Sequence, residues 1–232
     1  MDIAGSVALV TGANRGLGRS LAAELVRRGA RVYAGARNQG SIDLPGVTPV
    51  TLDITDPCSV SSALEAADDI TILVNNAGIS TGTSILNGDL DAVRREMETH
   101  FFGTLSVTRA AAPVIAANGG GAVLNILSAL SWLATPRSSA YCAAKSAEWS
   151  LTNALRLELA TSGIRVSALH VGFMDTDMTR LVEGPKLDPA DVARAAVDGI
   201  AAGAREILVD DVSRSVQAKL AGGVGALYPE LR

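Results

Sequence analysis

Val7-Ala8-Leu9-Val10-Thr11-Gly12-Ala13-Asn14-Arg15-Gly16-Leu17-Gly18 decides how the rest of the chain reads. Val7 to Val10 is a short apolar run suited to a buried strand. From Leu17 to Arg28 the apolar residues Leu17, Leu21 and Leu25, with Ala22 and Val26, recur on one helical face. Gly12, Gly16 and Gly18 fall between the two elements, more glycine than a plain strand-to-helix turn requires. Glycines let the backbone turn sharply and let a phosphate approach with no Cβ in the way. The free N–H groups and positive end of the following helix then favour a pyrophosphate. Gly12, Asn14, Arg15, Gly16, Leu17 and Gly18 are therefore expected to cradle a dinucleotide.

The same alternation continues along the chain. Gly29 ends the first helix, and Arg31 to Gly35 and Val47 to Leu52 read as strands, with the connection from Asn38 to Gly46 too broken for a full helix. Thr55-Asp56-Pro57 opens a helix with a capping residue, an acid and an early proline. Ile70 to Val74 is a fourth strand, Leu90 to Ala117 a long helix, and Ala122 to Leu127 a fifth strand. Ser138 to Thr161 is a second long helix, Ile164 to His170 a sixth strand, Pro189 to Ala201 a helix and Glu206 to Val209 a seventh strand. The tail holds a short helix from Val212 to Leu220 and a glycine-rich end. Strands alternating with helices give an α/β fold: one doubly wound parallel sheet of Rossmann type, helices on both faces, across a single domain of residues 1–232.

Composition narrows the function. The 232 residues are 48% hydrophobic but only 3% aromatic, so the core is built from Ala, Val, Leu and Ile. The net charge is −4 and the basic residues are scattered, which argues against nucleic acid as a partner. No apolar run reaches the ~18 residues of a membrane span, and residues 1–5 do not read as a secretory signal. Cys58 and Cys142 are too few for a disulfide framework or a metal site, so a reduced, cytoplasmic protein with no metal is expected. Cys142 reads as a small buried residue.

The end of the second strand discriminates between nicotinamide cofactors. An acid there, about 20 residues beyond the glycine turn, bonds the ribose 2′-hydroxyl of NAD. This chain has Ala36-Arg37-Asn38 instead, with Arg15 able to come near from the glycine turn. Two guanidiniums without a competing carboxylate suit a 2′-phosphate and hence NADP(H).

Tyr141 and Lys145 lie one helical turn apart and face the same way, with Ser128 upstream at the end of the fifth strand. A phenol titrates near ~10 when unperturbed, and a neighbouring ammonium favours the phenolate. The pair is therefore expected to exchange a proton near physiological pH, while Ser128 donates to a substrate oxygen. Together with Leu52-Asp53-Ile54-Thr55, Asn75-Asn76-Ala77-Gly78 and Gly172 with Thr176, these motifs resemble the short-chain dehydrogenases/reductases over nearly the whole chain. The resemblance implies that Tyr141 is the proton donor in reduction and acceptor in oxidation, that Lys145 also binds the nicotinamide ribose, and that Ser128 positions the carbonyl. It also implies that Asp53 and Ile54 flank the adenine, that Asn75, Ala77 and Gly78 run along the cofactor, and that Gly172 and Thr176 meet the nicotinamide carboxamide.

The chain departs from that pattern in His100-Phe101-Phe102-Gly103-Thr104, where the family carries an Asn that supports a helix distortion and a water linking the lysine to solvent. An imidazole titrates near neutrality but cannot offer an amide's paired donor and acceptor. His100 is then a working substitute in the relay, a structural residue, or the mark of a weakened activity. Val171 replaces a frequent proline before Gly172, which loosens that loop.

Ile79, Leu130 to Leu133, Arg137, Phe173 and Met178 to Val182 are expected to line the substrate pocket, with Trp132 either touching an apolar substrate or packing in the core. The short segment from Thr176 to Pro189 makes a small lid. The long helices at 90–117 and 138–161 carry surplus apolar residues, so a homodimer or homotetramer is expected, as in related folds. These features describe an NADP(H)-dependent oxidoreductase that interconverts a small-molecule carbonyl and alcohol. A sensor or scaffold that only binds NADP(H), or a dehydrogenase working mainly in oxidation, are the alternatives.

Overall fold

Alternate residues of the central strands point to opposite faces, and both faces are filled. In the computed structural model, which describes residues 1–231, Ala8, Val10, Ile72, Val74 and Leu124 enter one apolar core; Val7, Leu9, Leu73 and Val123 enter another. The strands are β1 Val7–Thr11, β2 Arg31–Ala36, β3 Val47–Thr51, β4 Ile72–Asn75, β5 Gly121–Ile126, β6 Ile164–His170 and β7 Glu206–Leu208. They form one parallel sheet in the order β3-β2-β1-β4-β5-β6-β7. The doubly wound α/β expectation therefore holds. Pro49 is tolerated because β3 is the sheet edge.

The helices are α1 Gly16–Arg27, α2 Pro57–Ala66, α3 Leu90–Met97, α4 Thr104–Ala117, α5 Ser139–Glu158, α6 Pro189–Ala202, α7 Asp211–Lys219 and α8 Gly223–Leu227. Leu17, Leu21 and Leu25 of α1 and Val192, Val197 and Ile200 of α6 cover the first face. Val60 and Leu64 of α2, Val107 and Ile115 of α4, and Leu151 and Leu155 of α5 cover the second. Capping chemistry sets several boundaries. Asp56 Oδ1 accepts from the Cys58 N–H ahead of Pro57, and Asp188 Oδ1 accepts from the Ala190 N–H.

Three elements differ from the sequence expectations. The long helix at 90–117 is interrupted by a π turn, Glu98–Gly103, centred on His100. The second long helix stops at Glu158 and a 3₁₀ turn, Ala160–Ser162, finishes it. The tail contains α8 in addition to the short helix expected there.

The strand order reverses between β1 and β4. The carboxyl ends of these strands open a crevice there, the place where doubly wound sheets bind ligands. No described helix is long and apolar enough to cross a membrane.

Candidate active site

The glycine turn at the end of β1 is built to leave space. Gly12 has a φ of +65°, which L side chains rarely adopt, and a Cβ there would sit 2.9 Å from Ala77 Cα. At Gly18 a Cβ would fall 2.1 Å from the Gly12 carbonyl and 2.4 Å from Asn76 Nδ2. Thr11 and Asn76 lock the crevice from below. Thr11 Oγ1 accepts from the Asn76 and Ala77 N–H groups, each at 2.9 Å, and Asn76 Nδ2 donates to the carbonyls of Thr11 (2.9 Å) and Gly12 (3.2 Å).

Arg15 precedes α1 in an extended conformation and its side chain does not cap the helix. The first N–H groups of α1 are thus unclaimed by that residue and face the crevice, as a pyrophosphate requires. Leu17 is buried in the first core, so only its backbone can serve a nucleotide. Asn14 is half-buried. Gly16 closes on Thr176, whose Cγ2 would lie 3.4 Å from a Cβ there. The Gly172 N–H donates to Asp210 Oδ2 at 2.6 Å, which fixes the start of the segment leading to Thr176. The cradle fits a dinucleotide.

Arg37 is exposed just beyond β2 and has no ion-pair partner among the described residues. Arg15 is different: its Nη1 pairs with Asp177 Oδ2 at 3.0 Å. A competing carboxylate is therefore present after all, brought from 162 positions away. Both side chains are over 70% exposed, so the pair is weak and exchangeable. Asp53 Oδ1 is engaged by the N–H and hydroxyl of Thr55 (3.0 and 2.7 Å), and Ile54 packs on Gly103. Asn75 turns its amide away from the crevice into the core, where Nδ2 donates to Thr108 Oγ1 (3.0 Å) and Asn125 Oδ1 (2.9 Å). It supports the cofactor floor and does not present its side chain to it. Ala77 and Gly78 do line the turn above.

Ser128, two residues beyond β5, meets Tyr141 and Lys145 from α5. The Ser128 hydroxyl acts on the phenol in the sense that favours the phenolate. Ser128 Oγ also donates to the Val171 carbonyl (3.3 Å) and accepts from the Leu130 N–H (3.1 Å). The Lys145 ammonium lies 5.9 Å from the Tyr141 ring centre. Burial pushes the phenol up, Lys145 opposes it, and the phenol ends above its ordinary value. Burial therefore opposes the titration near neutrality expected from the Tyr–Lys pair. Burial works against the ammonium, but Glu148 and the phenol outweigh it and hold Lys145 above the usual lysine range.

Sequence reading missed the groups behind this pair. Lys145 Nζ donates to Glu148 Oε2 (2.6 Å) and to the Ile126 carbonyl (2.7 Å). Glu148 Oε1 accepts from Thr104 Oγ1 at 3.2 Å. His100 is 1% exposed, edge-on to the Tyr141 ring with centres 5.2 Å apart. Its Nε2 meets the Ile79 carbonyl at 2.8 Å and stands 3.3 Å from Glu96 Oε2; its Nδ1 faces Glu148 Oε2 at 3.7 Å. Glu96 Oε1 accepts from the Thr81 N–H and hydroxyl, and these donors with His100 bring its carboxyl below the ordinary range against the effect of burial. The available signal was spacing: Glu96 and His100 stand four apart, and Lys145 and Glu148 three apart, on helices otherwise apolar inward.

Beside Ser128 opens a cleft of about 820 Å³ lined by Leu130, Thr135, Arg137, Phe173, Leu181 and Glu183, among others. Of the expected lining, Leu130, Arg137, Phe173, Leu181 and Val182 border this cleft, whereas Ile79, Ser131 to Leu133 and Met178 to Arg180 do not. The Trp132 indole is buried, stacked on His170 at 3.7 Å and edge-on to Trp149.

Residues 6–185 match the family model described as short chain dehydrogenase. The chain is 34% identical over 187 residues to D-erythrulose reductase of Gallus gallus, covering 78% of this chain and 76% of that protein. It is 34% identical over 182 residues to L-xylulose reductase of Homo sapiens, with coverages of 76% and 75%. The fold superposes with a TM-score of 0.95 on a short chain dehydrogenase from Burkholderia cenocepacia J2315 solved in complex with NADP. That protein is 39% identical, with 100% of this chain and 99% of the other covered. The chain therefore belongs to the short-chain dehydrogenase/reductase family of oxidoreductases.

Proposed function

We propose that the protein is an NADPH-dependent carbonyl reductase. The observation that carries this reading is the convergence of Ser128, Tyr141 and Lys145 near a glycine cradle, with an open cleft whose lining includes Leu130 and Ser138, neighbours in sequence of Ser128 and Tyr141. When bound, NADPH supplies the hydride that adds to the carbonyl carbon. Ser128 holds the carbonyl oxygen and Tyr141 breaks its O–H bond to protonate it; Lys145 supports the phenol and would bind the nicotinamide ribose with its remaining N–H. His100 holds the Gly78-Ile79 turn through Nε2 and packs edge-on against the phenol ring.

NADP(H) in place of NAD(H) rests on Arg37, with Arg15 once Asp177 yields it to a phosphate. The relatives named reductases and the NADP complex of the neighbour agree with this reading. The substrate is a small ketone or aldehyde whose body meets Leu130, Phe173 and Leu181, with Arg137 and Glu183 at the rim. Exposed Phe102 and Leu157 supply apolar surface for pairing into a homodimer or homotetramer. The unpaired Cys58 and Cys142 fit a reducing, cytoplasmic setting.

The test is NADPH consumption with a panel of ketones, aldehydes, quinones and sugars, repeated with Tyr141→Phe. Turnover is expected to vanish in that variant while NADPH binds nearly as before. A panel that stays inert despite tight NADPH binding would replace this reading with a sensor.

A further inference from the structure

Behind the phenol, four titratable side chains are buried together: Lys145, Glu148, His100 and Glu96, each no more than 6% exposed. Two carboxylates face one ammonium, and the imidazole adds a positive charge only if it takes up a proton. Such a surplus of negative charge, far from water, retains protons on its neighbours.

We propose that Glu148 is a positioning residue for the reaction: its carboxylate anchors the Lys145 ammonium in the core and keeps the Tyr141–Lys145 pair loaded with protons, extending to higher pH the range in which the phenol can donate. This rests on Tyr141 being the proton donor.

The geometry supports it from each side. Glu148 Oε2 takes one ammonium proton at 2.6 Å and the Ile126 carbonyl of β5 takes a second at 2.7 Å, so the lysine head is held by two bonds and one N–H remains for the cleft. Within α5, Thr152 Oγ1 donates to the Glu148 carbonyl at 2.7 Å, one turn on. From α4, the Thr104 hydroxyl donates to Oε1. From the π turn, His100 presents Nδ1, which has no hydrogen-bond partner, to Oε2 at 3.7 Å; beyond the ring stands Glu96 of α3. The only cation facing Tyr141 in this cluster is thus one whose field a neighbouring anion opposes. In line with this, Glu148 acts on the phenol in the opposite sense to Lys145. In each reduction the phenol O–H proton passes to the carbonyl oxygen as the carbon receives hydride, and the cluster recovers one proton from solvent.

Glu148→Gln removes the charge and keeps the shape. Tyr141 is one of three tyrosines in the chain, so its phenolate absorbance in the free protein is isolated by subtracting the titration of Tyr141→Phe. The onset is expected to move toward acid by about one pH unit or more, a tenfold change in proton affinity, and the alkaline limb of the reduction profile should move with it. Glu148→Asp, which keeps the charge but retracts it, is expected to fall between the two. Circular dichroism establishes that each variant is folded. An onset that stays in place in folded Glu148→Gln overturns the proposal. If that variant does not fold, Glu148→Asp decides alone, and an unmoved onset there overturns it equally. Reductase activity persisting in Tyr141→Phe would defeat the functional reading instead, while the phenolate titration would still measure what Glu148 does.

Discussion

Asn125→Ala is expected to cost far more than one small polar side chain suggests, because Asn125 is the middle of a buried polar ladder. Asn75 and Asn125 are direct neighbours in the β4–β5 register. Asn75 Nδ2 donates to Asn125 Oδ1 at 2.9 Å and to Thr108 Oγ1 at 3.0 Å; Asn125 Nδ2 donates to Thr152 Oγ1 at 2.8 Å. All four residues are buried, Thr108, Asn125 and Thr152 completely. Truncating Asn125 removes two hydrogen bonds and strands an Asn75 N–H away from water, while the Thr152 hydroxyl keeps its bond to the Glu148 carbonyl. At about 1–3 kcal/mol for the orphaned Asn75 N–H and about 1 kcal/mol for the lost bond to Thr152, the loss is about 2–4 kcal/mol. Asn75→Ala should cost about 2–4 kcal/mol by the same reasoning, chiefly through the emptied Asn125 acceptor.

The decisive quantity is the coupling. Once Asn75 is gone, removing Asn125 orphans one group fewer, so the double variant should be less damaged than the sum of the singles by about 1–2 kcal/mol. Urea unfolding followed by tryptophan fluorescence gives all three values. Thr152 lies on α5 with Tyr141, Lys145 and Glu148, so the loosened helix should also lower kcat while the Kd for NADPH changes little. Additivity within about 0.5 kcal/mol, or a single-variant loss under about 1 kcal/mol, would refute the ladder as a connected unit.

Gly18→Ala should destabilise the protein by about 1–3 kcal/mol and weaken nucleotide binding in calorimetry, because the new Cβ meets the Gly12 backbone carbonyl at 2.1 Å. Glu24, paired with Arg27 and Arg28, has its carboxyl lowered to about 2 from 4.5. Its folded value lies below the unfolded one, so its stabilisation is complete above about pH 4.5 and disappears as pH falls toward 2. With Arg27 64% exposed, about 1–2 kcal/mol is expected, and Glu24→Gln should flatten the acid limb of Tm against pH in that window. Arg37→Ala should raise the Kd for NADPH about tenfold and leave that for NADH nearly unchanged; equal effects on both would remove the 2′-phosphate role.

The fold was legible because the central strands β1, β4 and β5 are buried on both faces and read as nearly continuous apolar runs. The glycine turn and the Tyr141–Lys145 spacing were legible because each is local in sequence. What was hidden depends on partners that sequence does not place side by side. Asp177 reaches Arg15 across 162 positions. Asn75 reads as part of a crevice motif, yet its amide points into the core because Thr108 and Asn125 wait there. Trp132 follows Ser128 closely enough to suggest the pocket, but a 3₁₀ turn at Ala129–Ser131 carries it round onto His170. The π turn spans only Glu98–Gly103, too short a stretch for a 3.6-residue periodicity to reveal.

That π turn also explains how a ring can stand at position 100. The widened turn sets the imidazole beneath Gly78, where a Cβ would lie only 2.7 Å from Cε1. The bulk of His100 is therefore accommodated by the missing side chain at 78 and by the Glu98–Gly103 distortion together. Since the distortion is present with an imidazole, it does not depend on a side-chain amide at that position. The ring spends its Nε2 on Ile79 and leaves Nδ1 toward Glu148. One residue that would have served both turn and lysine is thus replaced by two, His100 for the turn and Glu148 for the ammonium. His100→Asn should therefore disturb the Gly78-Ile79 turn and cofactor affinity, whereas Glu148→Gln should disturb the titration of Tyr141; both variants shifting the same quantity would mean the two residues act as one.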